Sequence, residues 1–337
     1  MALFSYIFAK ITHSMKWILF LLLFPICSFA QVDTSNTAFA KAETFFNNKK
    51  YTQAKPIFQS YLKQHPNDLK TLEYLGDIYG YAEDWDEAIN YYEKLVELAP
   101  KVANYHYKYG GVLGMKALAI SKIRALALVG DIKEAFVTAT ELDPTHIEAR
   151  WALVEFYIQL PGIIGGSESK AKRYANELSK LSPVDGYLAH GYIAEYNDKP
   201  KDAEYNYKKA VAVGGSVVCY TKLYEHYEKN DAPDKALQVL DEARKKYNSE
   251  NRLHYQLGKI AGQYGIGLDQ GIECLDKYIM NYTPADGVPK DWAYYRLAQI
   301  YRHKMEKQKA SVWISKALED RPDFKEALAE KKIIELL

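Results

Sequence analysis

The sequence contains few cysteines, the residues on which disulfide-rich folds depend. Only three of its 337 residues are cysteines, Cys27, Cys219 and Cys274. The last two fall on helices of different predicted units, and we do not expect those helices to bring the Cα atoms within the roughly 7 Å that a disulfide requires. The sequence therefore predicts two free, partly buried thiols.

The sequence also lacks an excess of charge of either sign. It has 44 lysines and arginines against 43 aspartates and glutamates, a formal net charge of +1. Nonspecific binding of nucleic acid depends on a strongly basic surface. This balance therefore predicts no nucleic-acid partner.

The longest apolar segment near the N-terminus is too short for a comfortable membrane span. It runs from Trp17 to Cys27, whereas a spanning helix needs about 20 residues. The basic Lys16 precedes it, and the small residues Ser28 and Ala30 follow it. This order of basic, apolar and small residues is typical of a secretory signal peptide, which we predict over residues 1–30.

Cleavage after Ala30 would export a chain that begins at Gln31, and we expect it in the periplasm. Secretion beyond the periplasm and a membrane tether formed by an uncleaved leader are alternatives, and the true start is either Met1 or Met15. A lipid-modified Cys27 is disfavoured because the residues before it are not small. Contact with a membrane is expected only if the leader is uncleaved.

The sequence lacks the spacings of common catalytic and metal-binding motifs. No two histidines have the i, i+4 spacing of a helical metal site, and no G-x-S-x-G segment occurs. The glycine-rich segment Gly162–Ser167 has no lysine where a phosphate-binding loop needs one, so we predict an inter-helix loop with Ser167 as an N-cap. These absences predict a protein that is not an enzyme and that uses no metal or cofactor.

A repeated pattern about 34 residues long is present instead. Its clearest instance combines Leu75-Gly76-x-x-Tyr79, Ala88-x-x-x-Tyr92 and Pro100. The same frame recurs at Phe45, Ala54, Phe58 and Pro66, and at Leu297, Tyr301, Ala310, Ile314 and Pro322. A unit of this size cannot bury its apolar face alone, so neighbouring units must stack and share one elongated core.

Each position of the frame has a steric role. Large residues lie on the facing stripes of two antiparallel helices, glycine or alanine lets the backbones approach, and proline ends the second helix. The frame is interrupted at residues 115–130, where an apolar insertion is predicted to lengthen both helices of its unit, and again at residues 160–167. Residues 103–185 therefore contain irregular units.

These residues resemble the tetratricopeptide repeat. The resemblance implies an all-α, right-handed superhelical solenoid of about eight helix-turn-helix units over residues 35–324, followed by a capping helix over 325–337. For that last helix we predict docking through Ala327, Ala329, Ile333 and Leu336. Its charged residues are predicted to face water, and these are Glu326, Glu330, Lys331 and Lys332.

The resemblance further implies that a protein or peptide binds the concave face, which first helices line. The aromatic residues predicted as anchors there are Tyr81, Tyr107, Trp151, Tyr192 and Tyr196. The charged residues predicted to contribute are Glu73, Asp77, Arg252 and Lys259. Because acids crowd the early units and bases the later ones, we expect a groove that is first acidic and then basic and that orients its ligand. Packing of the aromatic residues between repeats is the alternative interpretation.

The sequence thus predicts a non-catalytic scaffold of the bacterial cell envelope that binds another envelope protein or a peptide. No small-molecule substrate is expected. The alternative is an enzyme or small-ligand-binding protein whose site is formed by the irregular region at residues 115–167.

Overall fold

The structure is a computed structural model that describes the backbone of residues 34–337 and the side chains of residues 37–337. The predicted leader, residues 1–30, lies outside the described residues. The chain divides into an N-terminal unit, Met1–Ala99, and a C-terminal unit, Pro100–Leu337. Every regular element that the described residues form is helical.

The helices alternate as antiparallel pairs, as the repeat frame predicts. The N-terminal unit contains α1 (Thr34–Asn47), α2 (Tyr51–Gln64), α3 (Leu69–Tyr81) and α4 (Trp85–Leu98). The C-terminal unit contains α5 (Ala103–Ala119), α6 (Lys122–Leu126), α7 (Val129–Leu142), α8 (Ile147–Gln159), α9 (Glu168–Leu181), α10 (Pro183–Tyr196), α11 (Pro200–Val213), α12 (Val217–Lys229), α13 (Pro233–Lys246), α14 (Asn251–Tyr264), α15 (Leu268–Asn281), α16 (Lys290–His303), α17 (Lys307–Asp320) and α18 (Lys325–Glu335). The all-α repeat fold is therefore confirmed.

The frame residues form the core of the N-terminal unit. Leu75 and Ala88 are completely buried, and Tyr92 is 2% exposed. A Cβ atom added at Gly76 would lie 2.9 Å from the ring of Tyr92. The glycine therefore lets α3 approach α4 closely enough for the ring to fill the gap, which is the steric role that the frame predicts.

The same arrangement recurs in the C-terminal unit. Added Cβ atoms would lie 2.5 Å from Tyr207 at Gly191 and 2.2 Å from Cγ of Leu275 at Gly258. Both of these large side chains are fully buried. In both of these pairs the first helix is thus held against its second helix by one large residue that packs over a glycine.

The turns within the pairs share an uncommon backbone conformation. In the N-terminal unit Lys49 and Glu83 both have a φ of 58°. In the C-terminal unit Asp198, Asp231 and Met305 have φ values of 56°, 52° and 60°. These are left-handed conformations that a side chain disfavours, so the turn geometry is imposed by the packing of the two helices that it joins.

The insertion in the third unit differs in part from its prediction. The first helix, α5, has 17 residues, compared with 13 in α8, so it is lengthened as expected. The second helix, α7, has an ordinary length of 14 residues, and that half of the prediction is wrong. The extra residues form the separate five-residue helix α6, because the chain leaves the helical conformation at Ile120.

Two local predictions in the C-terminal unit are confirmed. The segment before α9 is a loop with one turn of 3-10 helix at Gly162–Ile164, and the Ser167 side chain accepts a hydrogen bond from the backbone N–H of Lys170. Cys219 and Cys274 are free, as predicted, although both are completely buried rather than partly buried. Both thiols lie in one apolar cluster of the core.

The last helix is present, but the predicted docking face is largely wrong. Ala327 is buried as expected, whereas Ile333 and Leu336 are 48% and 88% exposed and Ala329 is also exposed. The buried residues are Ala327, Glu330 and Ile334, which repeat at intervals of three and four. Glu330 does not face water, because it accepts a hydrogen bond from the Arg302 guanidinium and is 4% exposed.

Candidate functional site

The three predicted residues of the N-terminal unit lie on α3. Tyr81 is 61% exposed, and its ring stacks on that of Tyr51 with 4.7 Å between ring centroids. Asp77 accepts a hydrogen bond from the hydroxyl of Tyr92, and Glu73 is half-buried. Of the three, Tyr81 offers the accessible aromatic surface, while Asp77 also supports the core.

In the C-terminal unit, three predicted aromatic anchors lie on the neighbouring first helices α8 and α10. The indole Nε1 of Trp151 donates to Oδ1 of Asp185 at 2.8 Å. At the other end of these helices, Nε2 of Gln159 donates to the Tyr192 hydroxyl at 2.7 Å, and the Tyr196 hydroxyl donates to the Gln159 carbonyl at 3.2 Å. The hydrogen bonds fix all three rings.

These three rings differ in how much surface they leave accessible. Tyr196 is 51% exposed, Tyr192 is half-buried, and Trp151 is half-buried and packs on the core. An aromatic ring held in place in this way loses little conformational freedom when a ligand covers it. Trp151 therefore packs between repeats, as the alternative interpretation has it, while Tyr196 presents its ring to solvent and stays a predicted anchor.

Glu155 gives this surface an unpaired negative charge. It lies on α8, is accessible to solvent, and has no ion pair with any described residue. Burial among surrounding protein atoms raises its pKa, and the positive charge of Lys222 on α12 opposes that rise. The Glu155 carboxyl group is thus accessible to water and still partly desolvated by neighbouring protein atoms.

Tyr107, on α5, lies on the same side of the C-terminal unit. Burial raises its pKa, with smaller contributions from the negative charges of Glu148 and Glu155. Its ring centroid is 5.1 Å from that of His146. We call the set Tyr107, Trp151, Glu155, Tyr192 and Tyr196 the first-helix surface.

Further along the C-terminal unit, acids and bases of successive first helices form ion pairs. Nζ of Lys229 lies 3.3 Å from Glu195, and Nζ of Lys259 lies 2.6 Å from Glu228. Arg252 is exposed and pairs with Glu250 at 2.8 Å. The predicted positive charges of Arg252 and Lys259 are thus largely compensated within the protein.

The charge of Arg296 is not compensated in this way. Arg296 on α16 has no carboxylate within 4.0 Å among the described residues, and its buried Nε has no hydrogen-bond partner. Its guanidinium lies over the rings of Trp292 and Tyr295, at 5.8 and 5.0 Å from the centroids. Its Nη1 donates to Oε1 of Gln299 at 2.8 Å. An unpaired, partly desolvated guanidinium has a strong preference for an anionic partner.

Arg296 and Lys259 line an open cavity of about 340 Å³ between α14, α16 and the loop that joins α15 to α16. The other lining residues include Tyr255, Val288 and Trp292. The cavity combines aromatic walls with a cation, which suits a carboxylate attached to an apolar group.

Sequence reasoning missed Arg296. It lies four residues after Trp292, so both side chains share one face of α16, and that spacing was the available signal. The lack of a nearby carboxylate depends on side-chain packing, which the repeat frame does not specify. Glu155 is one of the many acids of the early units, and its lack of a partner is likewise not visible in the sequence.

The described residues contain no group of three or more histidine, cysteine or carboxylate side chains that could hold a metal ion. Over the same part of the chain, no helix combines the length and apolar character that crossing a membrane requires.

Comparison with protein-family models gives two matches, both over the helices of the N-terminal unit. Residues 38–68 and residues 70–102 each match a tetratricopeptide repeat model. These two matches include α1 to α4 almost completely. They support the resemblance to the tetratricopeptide repeat that the frame residues indicate. The tetratricopeptide fold is typical of proteins that bind other proteins or peptides and is generally non-catalytic.

Curated relatives share low identity with this chain. A human protein named Protein O-mannosyl-transferase TMTC3 is 21% identical over 297 residues, which are 85% of this chain and 31% of that protein. The Tetratricopeptide repeat protein 30 homolog of Drosophila pseudoobscura pseudoobscura is 26% identical over 194 residues, 56% of this chain and 26% of that protein. The chain spans about a third or less of the length of these relatives.

Two solved structures are similar in part. A tetratricopeptide repeat protein from Parabacteroides merdae is 13% identical, with a TM-score of 0.48 and coverage of 90% of this chain and 99% of that chain. The protein YrrB, described as having an unusual peptide-binding site, is 21% identical, with a TM-score of 0.44 and coverage of 59% of this chain and 99% of that chain.

Proposed function

We propose that this protein is a non-catalytic scaffold of the bacterial cell envelope that binds a protein segment or peptide along the first-helix surface of its C-terminal unit. The observation that carries the proposal is the accessible ring of Tyr196, whose hydroxyl donates a hydrogen bond to the Gln159 carbonyl. The same surface carries Glu155, which has no ion pair with a described residue and whose negative charge acts on the neighbouring Tyr192. Ordered, accessible aromatic side chains are the usual anchors of protein interfaces.

The unpaired charges suggest the chemistry of the ligand. Glu155 on α8 favours a basic group, and Arg296 on α16 favours an acidic one. This is a reduced form of the predicted acidic-then-basic groove, because the intervening acids and bases pair with one another. A ligand segment with a basic group at one end and an acidic group at the other would bind in one direction.

The proposed location rests on the residue pattern at 15–30, which is that of a secretory signal peptide. Mass spectrometry of the protein purified from its host provides the test. A mature N-terminus at Gln31 supports export, whereas a chain that retains residues 15–30 in the cytosol contradicts it.

Affinity capture with matched variants tests the binding surface. A chain that begins at Gln31 is used to capture partners from envelope extracts, beside the variants Tyr196→Ala and Tyr205→Ala. Tyr205 is a suitable control, because it is 59% exposed, compared with 51% for Tyr196, but lies on the second helix α11. We expect Tyr196→Ala to lose a partner that Tyr205→Ala retains.

A partner captured equally by both tyrosine variants would place binding elsewhere. For a partner that passes this comparison, Glu155→Gln tests the charge of the first-helix surface and Arg296→Gln tests the charge of the cavity beside α16. Both substitutions should weaken binding most at low salt, because the charges concerned are accessible to water. Unchanged affinity in both would remove the directional part of the proposal.

A further inference from the structure

The insertion in the third unit leaves large apolar side chains in water. Leu118 near the end of α5 is 79% exposed, and Ile123 in α6 is 83% exposed. Met115 and Leu126, on the same two helices, are 47% and 49% exposed. We call these four residues the α5–α6 patch.

Helix α6 gains little from packing within the protein. It has five residues, none of which is buried. A helix this short is not stable by itself in water. Its apolar side chains therefore lack the burial that normally accounts for such residues, which indicates that an external surface covers them.

Charge distinguishes among the possible partners. No aspartate or glutamate occurs between Leu98 and Gly130, and five lysines and arginines do. Two of these bases, Lys122 and Arg124, lie in α6 itself, are exposed, and have no ion pair with a described residue. The patch thus combines exposed leucine, isoleucine and methionine with uncompensated positive charge.

We propose that the α5–α6 patch binds the surface of an anionic lipid bilayer, with Leu118 and Ile123 inserted among the lipid chains and Lys122 and Arg124 at the headgroups. Apolar side chains flanked by bases characterise segments that lie in the membrane interface without crossing it. This contact needs neither the predicted leader nor the first-helix surface, so it is independent of the proposed function.

Vesicle sedimentation tests the proposal. A chain that begins at Gln31 retains every described helix and removes the predicted leader from the measurement. We expect it to sediment with vesicles that contain phosphatidylglycerol, to bind pure phosphatidylcholine vesicles at least tenfold more weakly, and to dissociate as the salt concentration rises.

Two double variants and a control separate the contribution of apolar insertion to vesicle binding from the contribution of positive charge. Leu118→Ser with Ile123→Ser should reduce binding at least tenfold, and Lys122→Ser with Arg124→Ser should reduce it about 25-fold, or about fivefold per base. Met280→Ser is the matched control, because Met280 is 82% exposed on α15, away from the patch. It should bind like the parent chain.

A probe attached at the patch reports its position directly. A polarity-sensitive dye on Ala119→Cys should shift to the blue with anionic vesicles, while the same dye on Met280→Cys should not. The native thiols are buried and should not compete for the dye in the folded chain.

Three results would overturn the proposal. They are no binding to anionic vesicles, equal binding by the parent and both double variants, and self-association without lipid that Leu118→Ser with Ile123→Ser removes. The last result, measured by sedimentation velocity, would identify a second copy of the chain as the partner. Circular dichroism of each variant shows that it is folded before its binding is compared.

Discussion

The close contact between Gly258 and Leu275 allows a quantitative test of the repeat frame. In Gly258→Ala the new Cβ would lie 2.2, 2.6 and 2.9 Å from Cγ, Cδ2 and Cδ1 of Leu275. Ordinary contacts begin near 3.4 Å, and Leu275 is completely buried. The leucine therefore cannot move aside into solvent, so α14 and α15 must separate.

The expected change in the free energy of unfolding follows from two opposing effects. Overpacking a core costs about 1–3 kcal/mol, and these distances place the site at the upper end of that range. Alanine in a helix interior gains about 1 kcal/mol over glycine. The net expectation is a destabilisation of about 2 kcal/mol.

Gly111→Ala is the matched control. Gly111 lies inside α5 of the same C-terminal unit, and a Cβ added there would meet no atom within 4 Å. The helix preference then acts alone, and the variant should be more stable by about 0.5–1 kcal/mol. The two identical substitutions should therefore differ by about 3 kcal/mol.

Urea denaturation followed by circular dichroism measures both variants. The slope against urea concentration must match that of the parent chain, because a changed slope would indicate loss of cooperative unfolding in a repeat array. Adding Leu275→Ala to Gly258→Ala should cost less than the sum of the single changes. If Gly258→Ala stabilises the protein as much as Gly111→Ala does, the steric account of the frame is wrong.

Three further outcomes follow from the buried polar groups of the C-terminal unit. Burial lowers the pKa of four histidines below the usual 6.5, so below that pH the unfolded chain binds more protons than the folded chain. The free energy of unfolding should therefore fall between pH 7.5 and 5.5, by up to about 1.4 kcal/mol per pH unit per histidine. The urea midpoint should fall with it, and a midpoint that does not change with pH would contradict this. The histidines are His190, His226, His254 and His303. Glu330→Gln should destabilise the protein by about 1–2 kcal/mol, because it weakens a largely buried ion pair whose Arg302 is still 22% exposed, whereas Glu326→Gln on the exposed side of α18 should leave the thermal midpoint unchanged. Burial raises the pKa of the Cys274 thiol to about 11, so thiol reagents should modify the folded chain far more slowly than the chain in urea, and equal rates would show that the core opens.

Much of the fold could be predicted because the frame positions have steric roles that leave few alternatives. Gly76 packs against Tyr92, and Gly258 against Leu275, as the spacing requires. The prediction failed where the frame ends. The repeat frame does not specify the apolar face of α18, and the buried pair of Glu330 with Arg302 reverses the expectation for a charged residue.

The sequence predicts which aromatic residues lie in the candidate site, but it does not predict which of the charged residues are paired. Spacing placed Trp151, Tyr192 and Tyr196 on one side of successive first helices, and hydrogen bonds through Gln159 and Asp185 link them there. Spacing could not show that Lys259 is paired with Glu228 while Arg296 is unpaired. Those differences arise from side-chain geometry between neighbouring helices.

The left-handed turns have a consequence for how the sequence can change over time. Lysine, glutamate, aspartate and methionine all occupy this conformation in different pairs. The turns therefore accept both charged and apolar side chains that are unbranched at Cβ, and each such residue costs about 1 kcal/mol relative to glycine. These turns can therefore acquire new charges or new hydrophobic residues without redesign of the core. Substitution with glycine at any of these turns should raise the free energy of unfolding, and this gain would offset a destabilising change elsewhere in the chain.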